Sequence, residues 1–260
     1  MTALDAYDDD EAAALYDLVY ETYDEDLSLY EEFARRGETP ALELGAGTGR
    51  VALHLARAGL EVVALDSSSR MLARLEAALD AGTRPRVRTV EADMRAFDLG
   101  GETFDLVYCA LDTFEHLLTP DDQLATLRCV ARHLSKGGVF VAELRSLTAV
   151  DWSDEPTPLR LEWVRPDPAG GGTVAKLSSV EVSRARQLTT STLIFDRTAA
   201  DGVVRRRTLE VTLRVTGRFE MELLLGRAGL EPAALYGGTD LSPFTDASDT
   251  MVIVAKLEGP

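Results

Sequence analysis

Short apolar runs alternate with segments of helical periodicity over the middle of the chain. Five segments have the length and apolar content of buried strands, namely residues 39–45, 61–66, 86–93, 104–111 and 139–144. Three segments repeat apolar residues at helical spacing, namely residues 50–59, 67–79 and 120–138. Because strands and helices alternate at this pace, the pattern predicts a parallel sheet with helices on both faces.

The predicted helices begin and end at residues that favour helix termini. Gly59 is expected to end the first helix, and the serines at 67–69 offer caps for the start of the second. Pro120 suits the first turn of the third helix, and the two glycines at 137–138 are expected to end it.

A different pattern follows the fifth strand. Four segments have strand character with no helix between them, namely residues 159–165, 173–184, 188–198 and 203–215. Turn-forming residues at 166–172 and 200–202 separate them. Consecutive strands with short connections predict an antiparallel sheet inserted after the fifth strand. A last helix is predicted at 221–230, with strands near 231–237 and 250–257.

The glycine-rich segment between the first strand and the first helix has the pattern of a nucleotide-binding turn. Gly45, Gly47 and Gly49 let the backbone approach a ligand closely, and the following helix presents its positive N-terminus. A dinucleotide site requires another glycine where this chain has Arg50, which leaves a nucleoside without phosphate as the ligand. A purely structural turn is the alternative that this segment alone leaves open.

Two carboxylates at strand ends extend this interpretation. Asp66 ends the second strand, 17 residues after Gly49, where an acidic residue can accept hydrogen bonds from ribose hydroxyls or cap the next helix. Asp93 and Met94 follow the third strand. A carboxylate there can accept a hydrogen bond from an exocyclic amine, and a methionine can pack on an adenine face. Alone, Asp93 would be interpreted as a loop residue.

Together these segments resemble the class I S-adenosylmethionine-dependent methyltransferases. The resemblance rests on five blocks in the family's order, namely ELGAGTGR (43–50), VVALD (62–66), EADM (91–94), FDLVYCALDTFEHL (104–117) and LSKGGVFVAEL (134–144). It implies an α/β fold with a Rossmann-like, seven-stranded, mostly parallel sheet whose last strand is antiparallel. The segment YDLVY (16–20) and the β insertion are also similar to small-molecule N-methyltransferases of the amino-sugar type.

The resemblance divides the chain into four parts and assigns cofactor roles to individual residues. The parts are an N-terminal helical lid (1–37), a cofactor-binding core (38–144), the antiparallel β insertion (145–217) and the C-terminal part of the core (218–260). The residues expected to contact S-adenosylmethionine are Glu43, Gly45, Ala46, Gly47, Asp66, Met71, Asp93, Met94, Cys109 and Ala110. Asp66 would hold the ribose. Asp93 and Met94 would recognise adenine.

The other implied cofactor contacts are less direct. Gly45, Ala46 and Gly47 would face the amino-acid part of the cofactor. Cys109 and Ala110 would lie beside its methionine moiety. Met71 is a packing candidate, and Glu43 either assists through the turn or only braces the loop.

Methyl transfer from a sulfonium is an in-line displacement, so the protein must align a neutral nucleophile and exclude water. His116 is the first candidate for a base or a positioning group, with a structural histidine as the alternative. Asp112 can accept a hydrogen bond from an amine or simply end the strand, and Glu115 in the same segment is also a candidate to face the substrate. Tyr20 is expected near the transferred methyl group, whereas packing is favoured for Tyr16 on the same helical face.

Composition and charge indicate which kinds of substrate the protein can bind. The 260 residues include 27 Lys and Arg against 44 Asp and Glu, a net charge of −17 that disfavours extended contact with nucleic acid. Residues 145–218 nevertheless hold 12 basic and 9 acidic side chains, with Arg145 and Arg218 at the ends. These arginines can pair with neighbouring acids or form a pocket for an anionic substrate group, so the charge of the substrate stays open.

Location and metal content are also expected from the sequence. The chain has no run of about 18 apolar residues, and its acidic start lacks the features of an export signal. The two cysteines make no disulfide framework, so a cytoplasmic location is expected. No Cys/His spacing predicts a metal site. The exposed strand edges of the insertion suit pairing with a second copy.

The sequence therefore predicts an S-adenosylmethionine-dependent methyltransferase acting on a small molecule, with an amine nitrogen as the expected acceptor. A methyltransferase for protein or RNA is one alternative, and the net charge and the insertion count against it. A protein that binds the cofactor without turnover is the second. Arg50 counts against the third alternative, a nicotinamide-dependent oxidoreductase.

Overall fold

The computed structural model describes residues 9–153 and 155–259, which form eleven strands and six α-helices. The helices are α1 (Asp10–Tyr20), α2 (Leu27–Ala34), α3 (Arg50–Arg57), α4 (Ser69–Ala78), α5 (Pro120–His133) and α6 (Arg218–Ala228). The first six strands are β1 (Ala41–Leu44), β2 (Val62–Asp66), β3 (Val87–Glu91), β4 (Phe104–Cys109), β5 (Leu134–Arg145) and β6 (Arg160–Pro166). The remaining strands are β7 (Thr173–Ser183), β8 (Leu188–Thr198), β9 (Val204–Arg214), β10 (Leu230–Tyr236) and β11 (Thr250–Leu257).

Seven of these strands form the larger sheet, in the order β10-β11-β5-β4-β1-β2-β3. β11 runs antiparallel to both of its neighbours, and the pairs from β5 to β3 are parallel. Apolar clusters cover both faces of this sheet. The predicted α/β fold with a Rossmann-like, mostly parallel sheet is therefore confirmed. Its strand order reverses beside β1, where ligands bind in sheets of this type.

The predicted antiparallel insertion is also present. β6 to β9 form a separate four-stranded sheet in sequential order, and every neighbouring pair is antiparallel. Helix α1 packs on this sheet through Ala12, Leu15 and Leu18, which contact a cluster that includes Phe195 and Leu209. The insertion therefore carries the N-terminal helix. The first eight residues of the predicted N-terminal lid lie outside the described residues.

The predicted extent of the third helix is wrong. α5 ends at His133, and residues 134–138 already belong to β5. The His133 ring fixes this end, since its Nδ1 lies 2.8 Å from the Cys129 carbonyl and its Nε2 accepts the Leu99 N–H at 3.1 Å. Gly138 does not stop a helix. It lets β5 approach β4, because a Cβ there would lie 2.7 Å from the Phe104 carbonyl oxygen.

A buried ion pair joins the N-terminal segment to the start of α3. The Arg50 guanidinium binds both carboxylate oxygens of Asp26, at 2.5 and 2.6 Å, and the Asp26 side chain is fully buried. Arg50 also donates to the Tyr23 carbonyl at 3.2 Å and lies over the Tyr23 ring. The residue that replaces the expected glycine therefore anchors the link between α1 and α2 beside the glycine turn.

In the part of the chain that the structure describes, no helix is long and apolar enough to cross a membrane.

Gly49→Ala should destabilise the protein more than Gly59→Ala. Both glycines have positive φ, 89° and 88°, which costs an alanine about 1–2 kcal/mol. An added Cβ at Gly49 would also collide with the Leu75 side chain, whereas nothing lies within 4 Å of one at Gly59. Overpacking of this kind costs about 1–3 kcal/mol more. Urea unfolding of the two variants measures the difference, and equal destabilisation would contradict this account of the turn.

Glu43→Gln should flatten the dependence of stability on pH. Burial raises the pKa of the Glu43 carboxyl on β1 from 4.5 to about 8. The folded state therefore keeps a proton that the unfolded state releases, so wild-type stability falls as the pH rises from 4.5 to 8. Glutamine removes this loss, which for one group reaches about 1.4 kcal/mol per pH unit. Unfolding free energies measured across this range test it. The exposed Glu91→Gln is the matched control, and an unchanged slope in Glu43→Gln would refute the assignment.

Candidate active site

A cavity of about 360 Å³ lies at the carboxyl ends of the central parallel strands. Tyr16 and Tyr20 of α1 and Val211 and Leu213 of β9 contribute to its walls, so the N-terminal helix and the insertion both cover the sheet edge. Its size lies within the range of about 300–1,000 Å³ that is usual for small-molecule sites. The cavity is therefore the candidate active site.

Most of the predicted site residues converge on this cavity. Those that line it are Gly45, Gly47, Asp66, Met71, Asp93, Met94, Tyr20, Asp112 and His116. Tyr16, for which packing was favoured, also lines the cavity and packs against the Tyr20 ring. Tyr16 and Tyr20 are one helical turn apart with ring centroids 4.7 Å apart, and this single face of α1 meets the cavity.

Four predicted cofactor residues do not line the cavity, namely Glu43, Ala46, Cys109 and Ala110. All four are nearly or fully buried. Glu43 lies in β1, and its Oε2 has no hydrogen-bond partner among the described residues. The Cys109 carbonyl oxygen lies 3.5 Å from the Tyr30 hydroxyl oxygen inside the protein. These residues support the turns that form the cavity wall.

The glycine turn and Asp66 form one hydrogen-bonded unit. The Gly47 N–H donates to one Asp66 carboxylate oxygen at 2.8 Å, and the Ser68 N–H donates to the other at 2.8 Å. Burial raises the pKa of Asp66, and these backbone N–H groups partly offset that effect. Ser68 is the residue that caps α4, since its hydroxyl accepts the Met71 N–H. Asp66 is therefore not needed as the cap.

The backbone of the glycine turn leaves space for a ligand. Gly45 and Gly47 both have positive φ, 68° and 57°. A Cβ added at Gly47 would reach van der Waals contact with the Tyr16 ring at 3.8 Å, and Gly45, Gly47 and Tyr16 all line the cavity. The residues present therefore fit a nucleoside-containing cofactor that lies along the turn and beside the Asp66 carboxylate.

Arg95 is a cavity residue that sequence reasoning missed. Its Nε lies 2.9 and 3.0 Å from the two Asp93 carboxylate oxygens, and its Nη1 lies 3.2 Å from Asp122 of α5. Hydrogen bonding to Arg95 holds the pKa of Asp93 below its usual range. The signal within the sequence was the spacing of two between Asp93 and Arg95. The contact between Arg95 and Asp122 could not be predicted, because the two residues are 27 positions apart in the sequence.

Glu115 does not face the substrate, contrary to the prediction. Its side chain is fully buried, and Arg145 binds both carboxylate oxygens, through its backbone N–H at 2.8 Å and its Nε at 2.7 Å. Arg145 also donates to Thr189 of β8 at 3.0 Å, which ties the insertion to the segment after β4. Arg218 does not line the cavity, because it pairs with Glu222 on its own helix.

Asp112 is the carboxylate that remains open to the cavity. Its side chain is 39% exposed, and its nearest ion-pair contact is the Arg145 Nε at 3.9 Å, beyond hydrogen-bond distance. Burial under the covering elements raises the pKa of Asp112, and Arg145 partly opposes this. Burial and the nearby Asp112 raise the pKa of the Tyr20 phenol to about 12, so Tyr20 remains a hydrogen-bond donor.

His116 lies beside Asp112 as a neutral imidazole. Burial, and then the Arg145 charge, lower the pKa of His116 to about 4. Its Nδ1 is buried and has no hydrogen-bond partner among the described residues. The other two histidines have structural partners, since His54 contacts Glu31 and His133 contacts Cys129 and Leu99.

Several arginines of the insertion pair with acids, namely Arg197, Arg206, Arg207 and Arg214. Arg206 binds Asp196 at 2.6 and 2.7 Å, and Arg207 contacts Asp9 beside α1. This arrangement matches the alternative in which neighbouring acids neutralise these arginines. Among the described residues, no group of three or more His, Cys, Asp or Glu side chains is arranged to hold a metal ion.

Comparisons with known proteins agree with this architecture. Residues 41–138 match the model of a methyltransferase domain. The glycine/sarcosine N-methyltransferase of Halorhodospira halochloris is 32% identical over 124 residues, which cover 46% of this chain and 45% of that protein. The chain thus aligns with less than half of the length of this curated relative.

Solved structures match over almost the whole chain. The CcbJ methyltransferase from Streptomyces caelestis has a TM-score of 0.76 at 26% identity, covering 93% of this chain and 95% of that one. CalS10 from Micromonospora echinaspora, an amino pentose methyltransferase solved with S-adenosylmethionine bound, has a TM-score of 0.71 at 25% identity and the same coverage. Residues 41–138 therefore match a methyltransferase domain, and the chain shares its fold with a methyltransferase that was solved with S-adenosylmethionine bound.

Proposed function

We propose that this protein transfers the methyl group of S-adenosylmethionine to an amine nitrogen of a small molecule. The observation that carries the proposal is the Asp112 carboxylate, which lines the cavity together with Tyr20 and His116 and has no cation within hydrogen-bond distance among the described residues. Two relatives, a glycine/sarcosine N-methyltransferase and an amino pentose methyltransferase, are named for small amine-containing acceptors.

The charge balance of the cavity favours a cationic acceptor. Arg95 is bound to Asp93 and Asp122, and Arg145 is bound to the buried Glu115. Neither guanidinium is therefore free to hold a carboxylate or a phosphate of the substrate. Asp66 is assigned to the ribose of the cofactor, so Asp112 is the carboxylate left for an ammonium group.

The chain's own residues would then position the amine and receive its proton. An ammonium group must lose a proton before its nitrogen can attack, and the carboxylate of Asp112 is the acceptor that faces it. His116 is a poor proton acceptor, because burial and Arg145 disfavour its charged form. We therefore assign Asp112 as the proton acceptor, and Tyr20 and His116 as groups that position the amine. The cofactor supplies the methyl group and the leaving group when it is bound.

The covered cavity also favours a small molecule over protein or RNA. Tyr16, Tyr20, Val211 and Leu213 cover the space above the sheet edge, and a covered space of about 360 Å³ suits a small acceptor. The net charge of −17 adds repulsion toward a phosphate backbone. A cytoplasmic location, the absence of nucleic-acid contact and pairing of two copies remain predictions.

Asp66→Ala should weaken binding of S-adenosylhomocysteine about 10- to 100-fold, as expected for the loss of hydrogen bonds to a charged group. The substitution removes the proposed ribose acceptor and the partner of the Gly47 N–H. Isothermal titration calorimetry measures the affinity. Asp196→Ala is the matched control, since this aspartate pairs with Arg206 on the insertion, away from the cavity. Affinity equal to that of the wild type would exclude Asp66 from the cofactor site.

Methyl transfer itself can be tested with methyl-labelled S-adenosylmethionine and a bacterial extract. Label should enter the small-molecule pool, and the labelled product should carry the methyl group on nitrogen. Asp112→Asn should lower kcat/KM for the acceptor by about 100-fold or more, in the range of general base catalysis, with little change in KM for S-adenosylmethionine. Label in protein or RNA instead would refute the small-molecule assignment. Full activity of Asp112→Asn would refute the role of the carboxylate.

A further inference from the structure

The turn that presents Asp112 has an unusual backbone conformation. Leu111 directly precedes Asp112 and has a φ of 51°, in the left-handed region that large side chains rarely adopt. Such a conformation persists only where surrounding contacts enforce it, and it is often found at functional sites. The contacts that hold Leu111 therefore also set the direction of Asp112.

The buried carboxylate of Glu143, on the neighbouring strand β5, contacts Leu111. The Leu111 N–H donates to Glu143 Oε2 at 3.3 Å. Glu143 lies near the end of β5, which runs parallel to β4, and it is 6% exposed. An acidic residue on a central strand is costly to bury unless its oxygens accept hydrogen bonds. Glu143 is not among the residues that line the cavity, so contact with the substrate does not account for it.

A tyrosine from the N-terminal segment holds this carboxylate in turn. The Tyr30 hydroxyl of α2 lies 3.3 Å from the same Glu143 oxygen, and its ring stacks on Tyr108 of β4 with centroids 4.7 Å apart. Tyr30 is fully buried, and burial keeps its pKa well above the usual value, so its hydroxyl remains a donor. Two donors from different elements therefore converge on one oxygen of Glu143.

We propose that Glu143 is a positioning residue, whose carboxylate holds Leu111 in its left-handed conformation so that Asp112 faces the cavity. The inference deepens the proposed function, because it assigns the support of the carboxylate that binds the amine. In this arrangement, the Tyr30 hydroxyl fixes the orientation of the Glu143 side chain. Without an acceptor at position 143, the Leu111 N–H loses its partner, the turn relaxes toward negative φ, and Asp112 leaves its position.

Hydrogen exchange tests whether Glu143 holds the Leu111 turn, and it needs no acceptor molecule. In Glu143→Leu, the peptide spanning residues 110–117 should exchange about 10-fold faster or more, as expected for the loss of one hydrogen bond to a charged group. The exchange rate of the peptide over 250–257, in β11, reports global stability and should be the same in Glu143→Leu as in the wild type. Glu143→Gln keeps an acceptor oxygen and should retain most of the protection. Unchanged exchange at 110–117, or an equal rise in β11, would overturn the proposal.

A rescue experiment separates positioning from general support of the fold. Glu143→Leu should lower kcat for methyl transfer while leaving the affinity for S-adenosylhomocysteine close to that of the wild type. Adding Leu111→Gly should restore a substantial part of the lost kcat, because glycine adopts positive φ without a brace. No recovery in the double variant would overturn the proposal. A wild-type protein that methylates no small-molecule amine would refute the proposed function. The exchange result would still show whether Glu143 holds the Leu111 turn.

Discussion

The parallel order of the central strands is the constraint on which this site depends. Parallel strands bring their carboxyl ends to one edge, and the reversal of strand order beside β1 opens a crevice there. The glycine turn after β1 and the Leu111–His116 segment after β4 therefore become neighbours. A Cβ at Gly45 would collide with Thr113, so the glycine is required where these two turns meet. The cofactor side and the acceptor side of the cavity are thus held by one sheet edge.

Contacts close in sequence were predictable, and contacts between distant residues were not. Periodicity predicted the strands and helices, and the positions of Gly45, Gly47 and Asp66 after neighbouring strands predicted that they lie at one site. Nothing in a linear pattern showed that Arg50 reaches back 24 residues to Asp26, because this pairing exists only once α2 packs beside α3. The same holds for Glu115, whose pairing with Arg145 turned a candidate substrate contact into a structural one. The predicted end of α5 was wrong, because the two glycines at 137–138 resemble a helix stop but belong to β5.

The N-terminal helix is held over the cavity by contacts of unequal strength. Asp10 and Asp17 pair with arginines of α4 at exposed positions, and exposed pairs of this kind contribute about 1 kcal/mol or less. The apolar face of α1 against the insertion and the buried Arg50–Asp26 pair are stronger constraints. Removing one partner of such a buried pair typically costs about 3–5 kcal/mol. The cover of the active site is therefore set mainly by packing and by the residue that replaces the expected glycine.

Three buried glutamates on or beside the central strands show how this fold uses charge. Glu115 is neutralised by Arg145, and Glu143 accepts two hydrogen bonds from the protein. Glu43 has an oxygen without a partner among the described residues, and burial raises its pKa to about 8, so it is mostly protonated at neutral pH. Each of the three is thus prevented from acting as an open negative charge. Asp112 differs because the turn after β4 directs it into the cavity, away from hydrogen-bond distance of Arg145. The buried glutamates therefore do not compete with Asp112 for an ammonium group in the cavity.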